Sequence, residues 1–598
     1  MKNYKPNNAN KIYLTQFSVV IENRFVYLPY STGCVWAYAE QQGTVNRNNL
    51  GGLLFIKHDP QQVLDSLENP AVVGFSHYVW NENYNDTLAQ MIKQRYPECV
   101  IVYGGPQVSD EGNDWYDSHK FVDVFVHQEG EITFNEILKG IDFANIGGIS
   151  YHDDSVLHRN GLGKRIQKLE DVDSPYLIGL FDDMKVPDNY VLNAVMENDR
   201  GCPYRCTFCD WGSLTFSKVK RFSLERVFGE IEWAGRNQIE TINNASANFG
   251  IFKERDNMIA DKLVETNAKY GYPKMYDPNW AKNSNQDVLD LAIKLKEAGL
   301  MRKFGISMQS LDSITLENIK RSNLKINDFA DVIKEAERNS ISVMIELIVG
   351  LPGETYDSWT TNYCYLMQFE NTTIENYPCS LLNNSELNTP ESLKNFDIKY
   401  RTVDFGPIAS HHVNEDAKQI VSTYSMPESD MKRVWAWTWC ARLGHTVGIT
   451  SSIVADMRKQ KDFVIKDFYE NWYEYIRTSN NILNEKFMQW NEILEGYDFT
   501  RYIFDYEYMD DIGYLRRPET LQDLQHFLNK YYAQYDTQHL VDLFDIMYYT
   551  PAYNYPYTRN GKTINHGGMH GIYKYSSFIG LNRKNSGWKC SVLTKKVD

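Results

Sequence analysis

The chain has 598 residues, with 62 Lys+Arg against 78 Asp+Glu and a formal charge of -16, a length for about two to four domains. The acidic balance argues against a sequence-independent nucleic-acid binder, whose affinity would come from Lys and Arg on phosphates. A mix of 42% hydrophobic and 23% charged residues argues against a disordered chain, and with no apolar run of membrane-spanning length and no signal-peptide core, a cytoplasmic protein without membrane insertion is expected. Aromatic residues make up 14%, including 41 Tyr and 13 Trp, which suits large flat ligands as well as ordinary core. The nine cysteines are spread thinly except for one cluster, so a disulfide framework is not expected.

Residues 1–150 alternate β-rich runs with helical stretches. Strands are expected over 12–17, 71–76, 100–103 and 122–126, with a helix carrying Leu88, Met91 and Ile92 at helical spacing between the second and third. This alternation predicts a doubly wound, Rossmann-like parallel sheet with a ligand crevice at the strand C-termini. The residues following those ends, His77-Tyr78-Val79-Trp80-Asn81, Gly104-Gly105-Pro106 and His127-Gln128-Glu129-Gly130-Glu131, are polar, glycine-rich and aromatic, as such a crevice requires.

Residues 151–188, with Asp171-Val172-Asp173-Ser174-Pro175, read as a linker. A second β/α series follows over 189–400, with strands expected at 191–195, 240–243, 274–276, 303–307 and 343–349 and near Ile374, and helices at 287–298 and 328–339. Six units of this kind predict a partial (β/α)6 barrel of TIM-like build. Residues 401–598 read as a mostly helical domain that carries substrate choice, with helices over 431–443 and 461–477. There is no internal repeat at a fixed period.

Just after the first strand of the second series stands Gly201-Cys202-Pro203-Tyr204-Arg205-Cys206-Thr207-Phe208-Cys209. Three thiols in one C-x3-C-x2-C loop can hold three irons of a [4Fe-4S] cube and leave the fourth open to a substrate. A zinc loop, the alternative, normally closes with a fourth Cys or His, and none stands nearby. The nonapeptide resembles the cluster loop of the radical S-adenosylmethionine (SAM) superfamily, Phe208 included. The resemblance implies that Cys202, Cys206 and Cys209 are the metal ligands, that SAM chelates the free iron, and that reductive cleavage of SAM gives a 5'-deoxyadenosyl radical. It also implies a low-potential electron donor, such as a flavodoxin or ferredoxin, as partner.

Further segments that resemble the superfamily follow in order. Asn243-Asn244-Ala245-Ser246-Ala247-Asn248 stands after the second strand, where the family carries a Gly-Gly-Glu segment near the SAM amino group. The glutamate is absent, so that role falls to Asn244, Ser246 and Asn248. Ser307 and Gln309 resemble the ribose and carboxylate contacts, and Gly350-Leu351-Pro352-Gly353 the turn that meets adenine. This resemblance covers residues 185 to 390.

Gly74-Phe75-Ser76-His77-Tyr78-Val79-Trp80 and Val102-Tyr103-Gly104-Gly105-Pro106 resemble the cobalamin-binding domain that precedes the radical domain in one branch of the superfamily. The resemblance implies cobalamin contacts at Ser76, Tyr78, Trp80, Gly104, Gly105 and Gly130. No Asp-x-His-x-x-Gly motif offers a lower axial ligand, and His77 and His127 are expected to be structural, hydrogen-bonded residues. A cobalamin-free relic used for packing or substrate binding is the alternative.

In the last third, Cys379, Cys440 and Cys590 are too scattered for an auxiliary cluster, so a single cluster is expected. Trp435, Trp437 and Trp439 alternate along an expected helix and so should not all face one core. Tyr548 to Tyr557 reads as a lid or a rigid surface loop, and His566 and His570 alone do not make a metal site. The expected function is a cobalamin-dependent radical SAM methyltransferase acting on an unactivated carbon of a small molecule or peptide. A radical SAM enzyme that uses cobalamin for rearrangement or electron transfer, or does not bind it, is the alternative, and a non-catalytic cofactor-bearing scaffold is a third.

Overall fold

The structure is a computed structural model that describes residues 11–495 except 21–23, 111, 154–155, 183, 185, 188, 212–217, 283–284, 370–371, 407–408 and 447, together with 517–549 and the backbone of 554–559, 562–567, 582–584 and 587–589. Strands β1 (Lys11–Thr15), β2 (Phe25–Tyr27), β3 (Leu50–Leu54), β4 (Pro70–Ser76), β5 (Val100–Gly104), β6 (Val124–Val126), β7 (Ile149–Asp153) and β8 (Val156–Arg159) open the chain. All but β2 form a seven-stranded sheet in the order β3-β1-β4-β5-β6-β7-β8. The pairs from β3 to β6 are parallel, whereas β7 and β8 are antiparallel.

The interior strands β4 and β5 are buried along nearly their whole length, which is why they read as continuous apolar runs rather than alternating ones. Val73, Phe75, Ile101, Tyr103 and Phe125 form one core with Leu88 and Ile92 of the helix Glu82–Arg95. At β1 the strand order reverses, β3 lying on one side and β4 on the other. In a sheet of this kind that reversal opens a crevice at the strand C-termini.

The second series holds β9 (Val191–Met196), β10 (Asp199–Arg200), β11 (Lys220–Arg221), β12 (Thr241–Phe249), β13 (Met275–Trp280), β14 (Phe304–Gln309), β15 (Val343–Val349) and β16 (Thr372–Pro378). They form two main sheets, β13-β12-β9-β2 and β14-β15-β16, and a ribbon of β10 with β11. Strands β9, β12, β13, β14, β15 and β16 are the six expected ones, with the helices Gln286–Glu297 and Ile326–Arg338 between them, so the architecture is an α/β partial barrel behind a Rossmann-like sheet.

Three elements differ from the sequence expectation. Strand β2 leaves the N-terminal sheet and pairs with β9, Val26 opposite Leu192; three residues are too few to show a periodicity. The region read as a linker begins with the hairpin β7–β8, which extends the first sheet. The region read as helical begins with the hairpin β17 (Lys399–Asp404) and β18 (Asp416–Ser422).

The described residues up to 354, with 376–431, form one compact unit, and those of 355–375 and from 432 onward a second. In the second unit, Trp435, Trp437 and Trp439 of the helix Glu428–His445 are all buried, at 1%, 0% and 8% exposure, contrary to the alternation argument. From Val434 to His445 every residue of the helix is buried. Trp437 meets Tyr363 edge to face at 5.6 Å and Trp439 stacks on Trp490 at 5.7 Å, so their alternation reflects burial all round. Tyr548 to Tyr557, His566, His570 and Cys590 fall outside the residues whose side chains are described. Among the described residues no helix is long and apolar enough to cross a membrane.

Candidate cofactor site

The cysteine loop is set at the C-terminal end of β9 and begins at Gly201, where φ is 115°. Its backbone is tied down by Thr207 N–H to Ile319 O at 3.1 Å and Leu387 N–H to Thr207 O at 2.8 Å. Cys202 and Cys206 are 3% exposed, Cys209 and Phe208 are half-buried, and the eight described cysteines are all free thiols. Asn248 Nδ2 lies 3.5 Å from Cys202 Sγ, while Lys282 Nζ and Arg321 Nη1 lie 3.4 Å and 3.7 Å from Cys206 Sγ. Burial, opposed by Lys282 and reinforced by the other two thiols, pushes Cys209 up to about 11, and metal binding draws the proton off such a ligand. Two buried thiols and a half-buried one, with an amide beside Cys202 and two cations beside Cys206, fit a thiolate-held cluster. Asn248 Oδ1, buried without a hydrogen-bond partner, adds an acceptor for a ligand beside it.

Strand β12 runs on to Phe249, so the asparagine-rich segment lies within the strand rather than after it. Its residues alternate between two faces. Asn244, Ser246 and Asn248 are buried, whereas Asn243 and Ala245 face the cavity described below. Asn244 Oδ1 accepts from Ser246 N–H at 3.0 Å. Ser246 Oγ accepts from Asn198 N–H and Asp199 N–H at 2.9 and 3.0 Å and donates to Asp199 O at 3.2 Å. That exhausts a hydroxyl, so Ser246 is withdrawn as a SAM contact: it holds the backbone that leads into the cysteine loop.

Ser307 Oγ donates to the Glu346 carboxylate, and Gln309 ends β14 with φ 64°. Gly350, at φ 97°, and the fully buried Leu351 follow β15. These four stand at adjoining strand ends, apart from the wall of the cavity described next.

That cavity, of about 780 Å³, is lined by Ser76, Tyr78, Trp80, Gly104, Gly105 and Gly130 from the first sheet and by Cys209 with Asn243 and Ala245 from the barrel. The Tyr78 and Trp80 rings stack at 4.4 Å, 12° from parallel. Gly105 has φ 115°, and a Cβ there would stand 2.7 Å from His77 O, so only glycine fits this turn. Residues that sequence reasoning missed also line the cavity. Gln16 Oε1 accepts from Ser31 N–H and Oγ–H, and Arg200 bridges Glu131 at 2.8 Å and Glu197 at 2.9 Å. Gln16 lay inside an expected strand, and the helix Tyr30–Gln41 lacks an apolar stripe; the only signal was its position after β1, at a switch point.

His77, Glu82 and His119 bring ligand-type atoms within 4.8 Å of one another. Asn81 Oδ1 accepts from Tyr78 N–H, which fixes that amide, and Asn85 Nδ2 points at Asn81 Oδ1 and at His77 Nδ1, 3.2 Å away. Asn85 Nδ2 also lies 3.3 Å from Ser76 O, so it shares two protons among three acceptors, and His77 is a buried residue held in this hydrogen-bond network at the end of β4. His127 contacts Asp110 at 2.9 Å and Ser150 Oγ at 2.8 Å.

The family model described as the Radical SAM superfamily matches residues 199–361. The partial barrel with its cysteine loop is thus a radical SAM core. The chain is 31% identical over 466 residues, 76% of its length and 68% of the relative's, to the cobalamin-dependent radical SAM methyltransferase TokK of Streptomyces tokunonensis. It is 29% identical over 79% of its length, and 72% of the relative's, to a 2-(S-pantetheinyl)-carbapenam-3-carboxylate methyltransferase of Streptantibioticus cattleyicolor. A solved structure of the cobalamin-dependent SAM radical enzyme OxsB, with aqua-cobalamin and SAM bound, shares the fold at TM-score 0.53 and 15% identity over 90% of this chain and 84% of that one. The chain belongs to the cobalamin-dependent radical SAM methyltransferases, whose cofactors are a [4Fe-4S] cluster, SAM and cobalamin, and whose chemistry needs a reductant.

Proposed function

We propose that the enzyme transfers a methyl group to an unactivated carbon of a small molecule or peptide, with both cofactor sites opening on one cavity. The observation that carries this reading is the cavity wall, which takes Ser76, Trp80 and Gly104 from one sheet and Cys209 from the barrel. Two reactive centres that face one space can act on one substrate atom. When bound, the cluster with SAM supplies hydrogen-atom abstraction and the cobalamin supplies the methyl group.

The chain's own residues divide the work. Cys202, Cys206 and Cys209 hold the cluster, with Phe208 beside them. Lys282 and Arg321, beside Cys206, offset its negative charge. Asn248, Ser307, Gln309, Gly350 and Leu351 are assigned to SAM, with the backbone of Gly350 free to approach closely because no side chain intervenes. Ser76, Gly104, Gly105 and Gly130 allow a large cofactor near the strand ends, and the Tyr78–Trp80 stack gives it a flat apolar wall.

A flavodoxin or ferredoxin is the fitting electron donor, and a reducing cytoplasm suits the free thiols. The pantetheinylated carbapenam acted on by the Streptantibioticus relative is the first candidate substrate. The test is anaerobic turnover of reconstituted protein with reductant and a candidate substrate. Formation of both 5'-deoxyadenosine and S-adenosylhomocysteine is expected, and deoxyadenosine alone would overturn methyl transfer.

A further inference from the structure

We propose that the buried pair of Lys57 and Glu415 is a positioning device that fixes the Trp80 loop against the cofactor cavity; the proposal rests on the cobalamin reading above. Lys57 lies just beyond β3 and Glu415 just before β18, 358 residues apart in sequence, and both side chains are 0% exposed. Lys57 Nζ has three protons and three acceptors: Trp80 O at 2.7 Å, Ala409 O at 2.7 Å and Glu415 Oε1 at 2.8 Å. The carboxylate in turn accepts from Asn83 N–H at 2.8 Å and Tyr84 N–H at 3.2 Å. These amides open the 14-residue helix Glu82–Arg95, the end at which the helix dipole favours an anion. Asn83 Nδ2 adds bonds to Asn414 O at 2.9 Å and Asp416 Oδ2 at 3.1 Å.

A buried ion pair is a poor way to gain stability, because two charges leave water and well-packed apolar residues do as well. Here almost every bond the pair makes goes to backbone: Trp80 on one side, Asn83 and Tyr84 on the other. The segment between those anchors is the turn from β4 into the helix. It carries the Trp80 ring, stacked on Tyr78 and exposed to the cavity. Burial pulls Lys57 down and pushes Glu415 up, each opposed by its partner, so neither charge is tolerated there alone. The β17–β18 hairpin thereby sets where one wall of the cobalamin site stands, although none of its described residues lines the cavity.

The test uses the full chain with its cluster reconstituted and hydroxocobalamin as the probe. The paired variant Lys57→Met with Glu415→Leu replaces the ion pair by an apolar pair and leaves four backbone groups without their partners, so it is expected to be less stable than wild type while keeping wild-type cluster absorbance. It should bind hydroxocobalamin about tenfold more weakly, with shifted visible bands. Trp80→Ala alone should lose a similar amount and add little when combined with the paired variant. Wild-type affinity and bands in the folded paired variant, or fully additive losses, would overturn the proposal. If the paired variant does not fold, Glu415→Gln keeps the side-chain volume, and hydrogen exchange over residues 78–85 becomes the readout. Faster exchange there with unchanged cluster absorbance is expected, and unchanged exchange overturns the proposal. A wild-type protein that takes up no hydroxocobalamin would instead overturn the reading on which it rests.

Discussion

Ser246→Ala separates two roles for one hydroxyl. The wild-type oxygen satisfies two buried backbone donors, Asn198 N–H and Asp199 N–H, and donates to Asp199 O. Alanine leaves both amides buried without an acceptor at about 1–3 kcal/mol each, so a net loss of about 2–4 kcal/mol is expected after partial relaxation. Asp199 and Arg200 form β10, immediately before Gly201 and Cys202, so the loosening falls on the cluster loop. Urea unfolding of cluster-free protein measures the stability, and iron release under anaerobic chelator challenge measures the loop. Both should worsen, while the affinity for SAM of protein that still holds its cluster stays near wild type. Wild-type unfolding and iron retention together with weakened SAM binding would refute the argument and return Ser246 to the cofactor.

Gly105→Ala forces a side chain to φ 115° and a Cβ to within 2.7 Å of His77 O; a loss of about 2–4 kcal/mol in urea unfolding is expected, with hydroxocobalamin uptake impaired and cluster absorbance retained. Cys209→Ala, which removes a cluster ligand at the cavity wall, should abolish the iron-sulfur absorbance and 5'-deoxyadenosine formation while leaving hydroxocobalamin binding measurable. Burial, with Asp256 and Glu197 close by, pushes Asp199 up to about 7. The folded state therefore binds this proton more tightly than the unfolded chain, a contribution fully present below the unfolded value and lost as pH rises through about 7. Between about pH 6 and pH 8 it amounts to about 1.4 kcal/mol. Cluster-free protein should melt lower at the higher pH, and Asp199→Asn should flatten that slope; an unchanged slope in the variant would remove Asp199 as its source.

The parts of the fold that sequence made legible are those whose burial writes a pattern. Strands β4 and β5 carry unbroken apolar runs because they are interior, β15 alternates buried and half-buried residues around Glu346, and the aromatics and glycines at Ser76–Trp80 and Gly104–Gly105 mark strand ends that line the cavity. Strand β12 was read as stopping at Asn243 because its second half is built of Asn, Ser and Ala, without hydrophobic contrast between faces. Six missing residues of strand hid which side chains face the cavity. The withdrawal of Ser246 follows from hydrogen bonds to residues 47 and 48 positions away, which no local pattern reports. Lys57 and Glu415 were invisible for the same reason: as isolated charges they resemble surface residues, and only the fold brings them together in the interior.

Strand β2 has a consequence for anyone who takes this protein apart. Because Phe25–Tyr27 sits between β1 and β3 in the chain yet pairs with β9, the polypeptide crosses into the barrel and back before the first sheet is complete. A cut in the 160–188 stretch would leave the barrel without its edge strand and the N-terminal fragment with an unpaired one, an invitation to strand exchange between molecules. A chimera that imports another cobalamin-type domain would have to keep residues 24–28 with the barrel they complete.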